Sequence, residues 1–224
     1  MTVFHLLRHG EPNVFGRING RLPGVGLSER GRAEIAAVAA RLAPEKIEAL
    51  YASPLQRTQE TAEILSERLG LPVGCREDVI ELDFGEWTGL TADVIRRDPR
   101  WQLWNTCRSI AAIPGGESWR QVQDRVVGAL FDLQRVHPDD NVVIISHGDV
   151  IRAALLFALG MPLDFYARLE VALASISTIR LDASGIRVLA LNEAPRLPPP
   201  PWLASPRLGR GAERLMTRPQ CTPS

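Results

Sequence analysis

The chain has 224 residues, of which 45% are hydrophobic and 23% are charged, a composition typical of a globular protein large enough to bury a core. Its formal net charge of zero provides no general attraction to nucleic acid or to an acidic membrane surface. Three cysteines without metal-ligand spacing predict a reducing compartment, and the longest apolar run is too short to span a bilayer. We therefore expect a cytoplasmic protein that binds neither nucleic acid nor membranes.

The first part of the chain alternates predicted strands with predicted helices. A buried strand is predicted for the apolar run TVFHLL, and a glycine-rich loop leads from it to a helix with Ser28 as the expected N-cap. A second strand is predicted for IEALYA. The helix that follows should have Ser53 as its cap, Pro54 in its first position and Gly70 at its end. A short strand is predicted for VIELDFG.

The second part of the chain continues the alternation. Residues 91–113 are expected to be partly helical, and a clear amphipathic helix is predicted for ESWRQVQDRVVGALFDLQRV. A strand (NVVIIS), a helix (DVIRAALLFALG) and a terminal hairpin (SISTIRL and IRVLAL) should follow. This order predicts an α/β fold, a three-layer sandwich with a mostly parallel central sheet flanked by helices. We expect one domain over residues 1–194 and a disordered, proline- and arginine-rich tail over residues 195–224.

Basic side chains and a carboxylate occur where predicted strands end. Arg8 and His9 follow the first strand, Arg57 lies in the first turn of the helix after the second strand, and His147 follows NVVIIS. Glu81 lies in the VIELDFG segment. Each residue alone could be an ordinary capping or surface residue. Because ligands of parallel α/β sheets bind beyond the carboxyl ends of the strands, we expect the five side chains to meet in one site.

This set of side chains suits chemistry on a phosphate ester. Arg8 and Arg57 offer planar donor forks that match phosphate oxygens, and the nearby helix N-terminus adds backbone donors. A neutral imidazole at His9 can attack phosphorus and form a phosphohistidine. A carboxylic acid at Glu81 can protonate the departing alkoxide and then activate water. Because the arginines supply the positive charge, we expect the reaction to need neither a metal nor another cofactor.

Five motifs resemble those of the histidine phosphatase superfamily, whose fold is phosphoglycerate mutase-like. In the family's order they are LLRHGEP, SPLQRTQETA, IELDFGEWTGL, PGGES and IISHGDVIRAALL. The resemblance implies that His9 is the phosphorylated nucleophile and that Glu81 is the general acid and base, with Arg8 and His147 also in the catalytic set. It further implies the phosphate-binding residues Arg8, Asn13, Arg57 and His147, although Asn13 stands closer to the histidine than in many relatives.

The spacing of the motifs also bears on the reaction. Mutases of the family carry a longer insertion where this chain has the short interval 89–114, so the chain resembles the compact branch of α-ribazole phosphatases and broad-specificity phosphatases. We expect a metal-independent phosphomonoester hydrolase whose partner is a small-molecule phosphate ester. The alternatives are a phosphoglycerate mutase-type phosphotransferase and a non-catalytic phosphate-binding module. A metallohydrolase built on His5, His9, His147 and a carboxylate is a further, weaker alternative.

The identity of the substrate does not follow from the sequence. Trp101, Trp104 and the arginines Arg97, Arg100 and Arg108 lie in the segment expected to contact the leaving group. The two tryptophans could equally pack against the body of the domain. The sequence also leaves the oligomeric state open, with a homodimer as one option.

Overall fold

A six-stranded sheet forms the centre of the computed structural model, which describes residues 1–195. The strands are β1 (Thr2–Arg8), β2 (Ala49–Ala52), β3 (Val73–Cys75), β4 (Asn141–Ser146), β5 (Ile176–Asp182) and β6 (Gly185–Glu193). Their order across the sheet is β3-β2-β4-β1-β5-β6. Strands β1 to β4 run parallel, and β5 and β6 add an antiparallel hairpin. The predicted mostly parallel α/β fold and the terminal hairpin are therefore confirmed.

Helices cover both faces of this sheet. They are α1 (Glu29–Leu42), α2 (Gln56–Leu69), α3 (Ala92–Ile95), α4 (Pro99–Thr106), α5 (Trp119–Val136) and α6 (Gly148–Ala158), with short 3-10 helices at Glu77–Val79, Gly85–Trp87 and Leu163–Arg168. Side chains of a strand point alternately to the two faces. In β4, Val142 and Ile144 enter the core beneath α5 and α6, whereas Val143 and Ile145 enter the core beneath α1 and α2. Central strand β4 is therefore buried on both sides, as its sequence predicts.

The ends of two helices test the predicted caps. Ser28 caps α1, because its side chain accepts a hydrogen bond from the backbone N–H of Gly31. The prediction that Ser53 caps the second helix is wrong, because α2 begins at Gln56 after Leu55, which makes no side-chain cap. The hydroxyl of Ser53 lies instead 2.8 Å from Nε2 of His147.

The strand predicted for VIELDFG is also absent. The strand of this region is the earlier β3, and Glu77–Val79 forms a 3-10 helix. The backbone carbonyls here are bound by side chains rather than by a neighbouring strand: Asp78 O accepts from Arg125, and Val79 O accepts from Ser146 Oγ. The segment is thus an irregular loop held from the side.

The segment 91–113 is partly helical, as expected, and contains α3 and α4. No helix within residues 1–195 combines the length and the apolar character needed to cross a membrane. The predicted disordered tail lies almost wholly outside the described residues and stays a prediction.

The loop after β1 is held against α1 by a close contact between two glycines. A Cβ atom at Gly10 would lie 2.6 Å from the carbonyl oxygen of Gly31, and one at Gly31 would lie 2.2 Å from the carbonyl oxygen of Glu11. The Ser28 hydroxyl also donates a 2.8 Å hydrogen bond to Glu11 Oε1. The two backbones therefore approach more closely than a side chain permits, and this contact fixes the position of neighbouring His9.

We expect Gly31→Ala to destabilise the domain, although alanine is usually the better helix residue by about 1 kcal/mol. The added methyl group should displace the loop and lower the free energy of unfolding by about 1–3 kcal/mol. Gly128→Ala in α5 is the matched control, because a Cβ atom there meets no atom within 4 Å. Chemical denaturation should show Gly128→Ala to be neutral or stabilised, and equal stabilisation of both variants would contradict the packing role of Gly31.

Candidate active site

His9 is buried at the carboxyl end of β1, with only 4% of its surface exposed. Its Nδ1 lies 2.8 Å from the carbonyl oxygen of Gly10, which can only accept a hydrogen bond, so Nδ1 carries the proton. On the other side of the ring, Arg57 Nε–H donates to Nε2 over 3.3 Å. Burial and the charges of Arg57 and Arg8 lower the pKa of His9 well below its usual range. The ring is therefore neutral, and Nε2 is its unprotonated nitrogen.

Arg57 and Arg8 surround this ring with buried positive charge. Arg57 lies in the first turn of α2, is 2% exposed and donates from Nη2 to the carbonyl oxygen of Gly20 over 2.8 Å. Arg8 donates from Nη1 to the carbonyl oxygen of Val171 over 2.6 Å. Neither arginine has a carboxylate within ion-pair distance among the described residues, and Arg8 Nε and Arg57 Nη1 lack hydrogen-bond partners there. These two cations are available to an anion.

His147 lies beside His9 at the start of α6. The two ring centroids are 5.2 Å apart, with planes inclined at 60°. Burial, followed by the charge of Arg57, lowers the pKa of His147 well below its usual range. Its Nε2 is bound to Ser53, whereas Nδ1 has no hydrogen-bond partner in the described part of the chain and lies 3.9 Å from Glu81 Oε2. His147 therefore neighbours both His9 and Glu81.

Glu81 brings a carboxyl group to the same site as His9 from the irregular loop after β3. Its side chain is 13% exposed, and its Oε1 accepts from the backbone N–H of Leu82 over 2.9 Å. Burial and, next, the negative charge of Asp149 raise the pKa of Glu81 to about 7, despite the opposing charges of the arginines. A carboxyl group in this environment keeps its proton near neutral pH, as a general acid must.

The loop of Glu81 is fixed against the PGGES loop. Gly85 has a φ of 46°, and a Cβ atom there would lie 2.2 Å from the carbonyl oxygen of Pro114. The backbone N–H groups of Glu86 and Glu117 donate across the contact to Pro114 O and Asp83 O, over 2.9 and 3.0 Å. Positive φ and close approach together require glycine at position 85. This accounts physically for the glycine four residues after the acid.

The cavity has a volume of about 300 Å³ and contains His9, Arg8, Arg57 and Glu81 in its wall. Another part of the wall comes from the segment that the sequence analysis expects to contact the leaving group. Trp104 is 1% exposed, so it packs in the core and also borders the cavity, as do Trp101 and Arg108. Arg97 and Arg100 are exposed and do not line the cavity, and Arg100 is bound to Asp98 and Glu86 instead.

Two asparagines show where sequence reasoning falls short. Asn13 is exposed and does not line the cavity, so its predicted contact with phosphate stays a prediction without support from the geometry. Asn19 lines the cavity instead, and its buried Oδ1 has no partner among the described residues. Its position in the glycine-rich GRINGR loop is a signal that could have found it. Asp149, which follows His147 by two residues, is a second cavity residue that the sequence analysis missed.

The remaining histidines lie away from this site. His5 Nδ1 lies 3.3 Å from the hydroxyl of Thr178 on β5, and His137 is hydrogen-bonded to Tyr51 and Asp140. Within residues 1–195, no three side chains of His, Cys, Asp or Glu are grouped in a way that could hold a metal ion.

Comparison with known families decides the assignment. The family model for the histidine phosphatase superfamily, branch 1, matches residues 4–194. This chain belongs to that superfamily. The phosphoserine phosphatase 1 of Hydrogenobacter thermophilus is 34% identical over 196 residues, which cover 86% of this chain and 92% of the relative. The sequence-based resemblance, and the class of enzyme that it implies, are therefore confirmed.

Solved structures agree with this assignment. The YhfR protein of Bacillus stearothermophilus superposes on this histidine phosphatase with a TM-score of 0.82 at 28% identity, covering 87% of this chain and 98% of YhfR. A mycobacterial glucosyl-3-phosphoglycerate phosphatase superposes with a TM-score of 0.76 at 28% identity, covering 86% of this chain and 99% of the mycobacterial one. The fold is thus the phosphoglycerate mutase-like fold that the motifs imply.

The raised pKa of Glu81 predicts a dependence of stability on pH. Between its ordinary value of 4.5 and about 7, the folded state keeps a proton that the unfolded state has released, so wild-type stability falls as pH rises through this window. Glu81→Gln removes this effect. We expect the free energy of unfolding of the variant, relative to wild type, to rise by up to about 3 kcal/mol between about pH 5 and about pH 8.

Chemical denaturation at the two pH values measures this difference. Glu67→Gln is the matched control, because it makes the same substitution at an exposed position of α2. A stability difference between Glu81→Gln and wild type that does not change with pH would contradict the assigned protonation state of Glu81.

Proposed function

We propose that this histidine phosphatase hydrolyses small-molecule phosphate monoesters in two displacements, through a phosphohistidine at His9 and with Glu81 as general acid and base. The proposal rests on the protonation state and the surroundings of His9. Its proton lies on Nδ1, and its unprotonated Nε2, which accepts from Arg57, lies among arginines that have no acidic partner within ion-pair distance in the described chain. Such a nitrogen is a nucleophile placed where a phosphoryl group would be held.

In the first displacement, Nε2 of His9 attacks phosphorus and the bond from phosphorus to the alcohol oxygen breaks. The proton of Glu81 passes to the departing oxygen, so the alcohol leaves neutral and Glu81 becomes a carboxylate. The hydrogen bond from His9 Nδ1–H to Gly10 orients the ring throughout and supports the positive charge that develops on it. The pKa of Glu81, raised to about 7, keeps the acid protonated when the substrate binds.

In the second displacement, water attacks the phosphohistidine. The Glu81 carboxylate accepts a proton from this water, the phosphorus–nitrogen bond breaks, and His9 returns to the neutral ring. Inorganic phosphate leaves, and Glu81 again holds a proton. The same carboxyl group thus serves both steps without any other proton carrier.

Arg8, Arg57 and His147 act on the phosphoryl oxygens in this proposal. Spreading of charge over these oxygens in the transition state is best stabilised by donors that are already in place. The unpartnered nitrogens Arg8 Nε, Arg57 Nη1 and His147 Nδ1 supply such donors in a buried site, His147 in the tautomer that carries the proton on Nδ1. Because the two arginines provide positive charge and His147 a further donor, we propose that catalysis needs no metal ion.

The size of the cavity favours a small substrate, and the name of a similar enzyme favours hydrolysis over phosphoryl transfer. The cavity of about 300 Å³ lies at the lower end of the range for small-molecule sites, which suits a small phosphate ester. The similar Hydrogenobacter enzyme is named a phosphoserine phosphatase. A non-catalytic phosphate-binding module would not need the nucleophilic tautomer of His9 or the proton on Glu81. A phosphoglycerate mutase-type transfer shares the first displacement and differs in what accepts the phosphoryl group.

We expect His9→Ala to lower the release of phosphate from an aryl phosphate by at least about a thousandfold, because no other group replaces the nucleophile. An excess of chelator should leave the wild type active. His5→Ala is the matched control, since His5 lies on the same strand but contacts Thr178 rather than the cavity. Full activity of His9→Ala would refute the mechanism, and loss of activity in His5→Ala or with chelator would favour the metallohydrolase.

Measurements of phosphate release and transfer also distinguish a hydrolase from a mutase and from a binding module. Transfer of phosphate between the two hydroxyl positions of glycerate, faster than release of inorganic phosphate, would identify a mutase. Binding of a phosphate ester without any turnover would identify a binding module.

A further inference from the structure

We propose that Arg108 binds a carboxylate on the leaving group, so that the enzyme prefers phosphate esters of small hydroxy acids to those of neutral alcohols. This inference rests on the proposed phosphatase function and names the class of substrate for the same site. It rests on the surroundings of Arg108, which lines the same cavity as His9.

The guanidinium of Arg108 is held in one orientation. It is 5% exposed, and its Cζ lies 3.6 Å from the ring centroid of Trp104 and 3.3 Å from that of Tyr166. Nη2 donates to Asn105 Oδ1 over 3.3 Å, and the Tyr166 hydroxyl donates to the same oxygen over 3.1 Å. A guanidinium packed against aromatic rings loses little further freedom when it binds an anion.

The charge of Arg108 is only partly balanced. Asp149 Oδ1 lies 3.6 Å from its Nη1 but also 3.2 Å from Nη1 of Arg152, so two guanidinium groups share one carboxylate. Nε and Nη1 of Arg108 have no hydrogen-bond partner in the described residues. Buried donors of a charged group cost stability unless they are bound, and a partner supplied by the substrate would satisfy them.

The charges around the cavity favour one extra negative charge on the substrate. Four arginines line it (Arg8, Arg17, Arg57 and Arg108), together with the acids Glu81 and Asp149. With Glu81 protonated as the mechanism requires, the lining carries three net positive charges, of which a phosphate monoester neutralises about two. One carboxylate balances the remainder. A second phosphate would carry more negative charge than this remaining positive charge, and it would lie beside the Asp149 carboxylate next to Arg108.

A second donor lies on the same wall. Trp104 lines the cavity, and its indole N–H is buried without a hydrogen-bond partner among the described residues. Arg108 and Trp104 together can offer N–H groups to the two oxygens of one carboxylate. A neutral alcohol can satisfy an N–H donor but cannot balance the charge of Arg108.

The test compares 3-phosphoglycerate with glycerol 3-phosphate, which share a three-carbon skeleton and differ by a carboxylate in place of a hydroxymethyl group. We expect the wild-type kcat/KM to favour 3-phosphoglycerate by at least about tenfold. Arg108→Gln should abolish this preference, because it lowers kcat/KM for 3-phosphoglycerate by at least about tenfold more than for glycerol 3-phosphate. Arg96→Gln, at an exposed position of the same segment, should keep the wild-type preference.

A wild-type ratio near one would overturn the inference, and so would an equal loss on both substrates in an Arg108→Gln variant that melts like the wild type. If the glutamine variant does not fold, Arg108→Lys is used instead. Lysine keeps the positive charge but lacks the planar set of N–H donors, so this variant should retain part of the preference for 3-phosphoglycerate. Failure of the proposed function itself would look different, because then neither substrate nor an aryl phosphate would release phosphate through His9.

Discussion

Two guanidinium groups buried beside an imidazole are the feature on which the rest of this site depends. Arg8 and Arg57 have lost most of their water, and among the described residues no carboxylate lies close enough to pair with them. Burial, followed by the charges of these arginines, holds His9 neutral, and the two arginines leave an excess of positive potential where a phosphoryl group would sit. A buried cation without a partner destabilises a fold, so its presence points to an anionic ligand that completes the site.

The two acids of the cavity have been given different roles by their surroundings. Asp149 lies 3.6 Å from Arg108 and 3.2 Å from Arg152, so two guanidinium groups contact its carboxylate. Glu81 has no ion-paired arginine within the described chain, and burial together with the charge of Asp149 makes it hold its proton. A buried carboxyl group that keeps its proton beside a carboxylate bound by arginines lets one pocket contain both an acid and an anion. The negative charge of Asp149 thus helps Glu81 to hold its proton.

Much of this arrangement is predictable from sequence because it follows the ends of parallel strands. The positions of His9 and His147 follow directly from the buried strands before them, and the motif order assigns the fold. Ser53 shows a limit: Ser-Pro predicts a helix cap, but the hydroxyl binds His147, a partner 94 residues away. Glu81 lies in an apolar segment that looks like a strand, yet Ser146 and Arg125 hold that segment as a loop.

The part of the cavity wall that contains Trp104 and Arg108 could not be derived from sequence for a similar reason. Trp104 and Arg108 are four residues apart, but the third member of their stack, Tyr166, comes from a distant 3-10 helix. Only the fold brings these groups together and separates Arg108 from the exposed Arg97 and Arg100. The same holds for Asn19, since a loop of 19 residues between Arg8 and Ser28 gives no periodic pattern from which to place it.

The central claim is that phosphate passes through His9 rather than directly to water. The stereochemical course at phosphorus tests it most directly, with a substrate whose phosphoryl group is made chiral by sulfur and oxygen isotopes and is hydrolysed in isotopically labelled water. Each in-line displacement inverts the configuration, so two displacements give overall retention. Our account predicts retention. Inversion would show a single attack by water and would contradict the phosphohistidine mechanism.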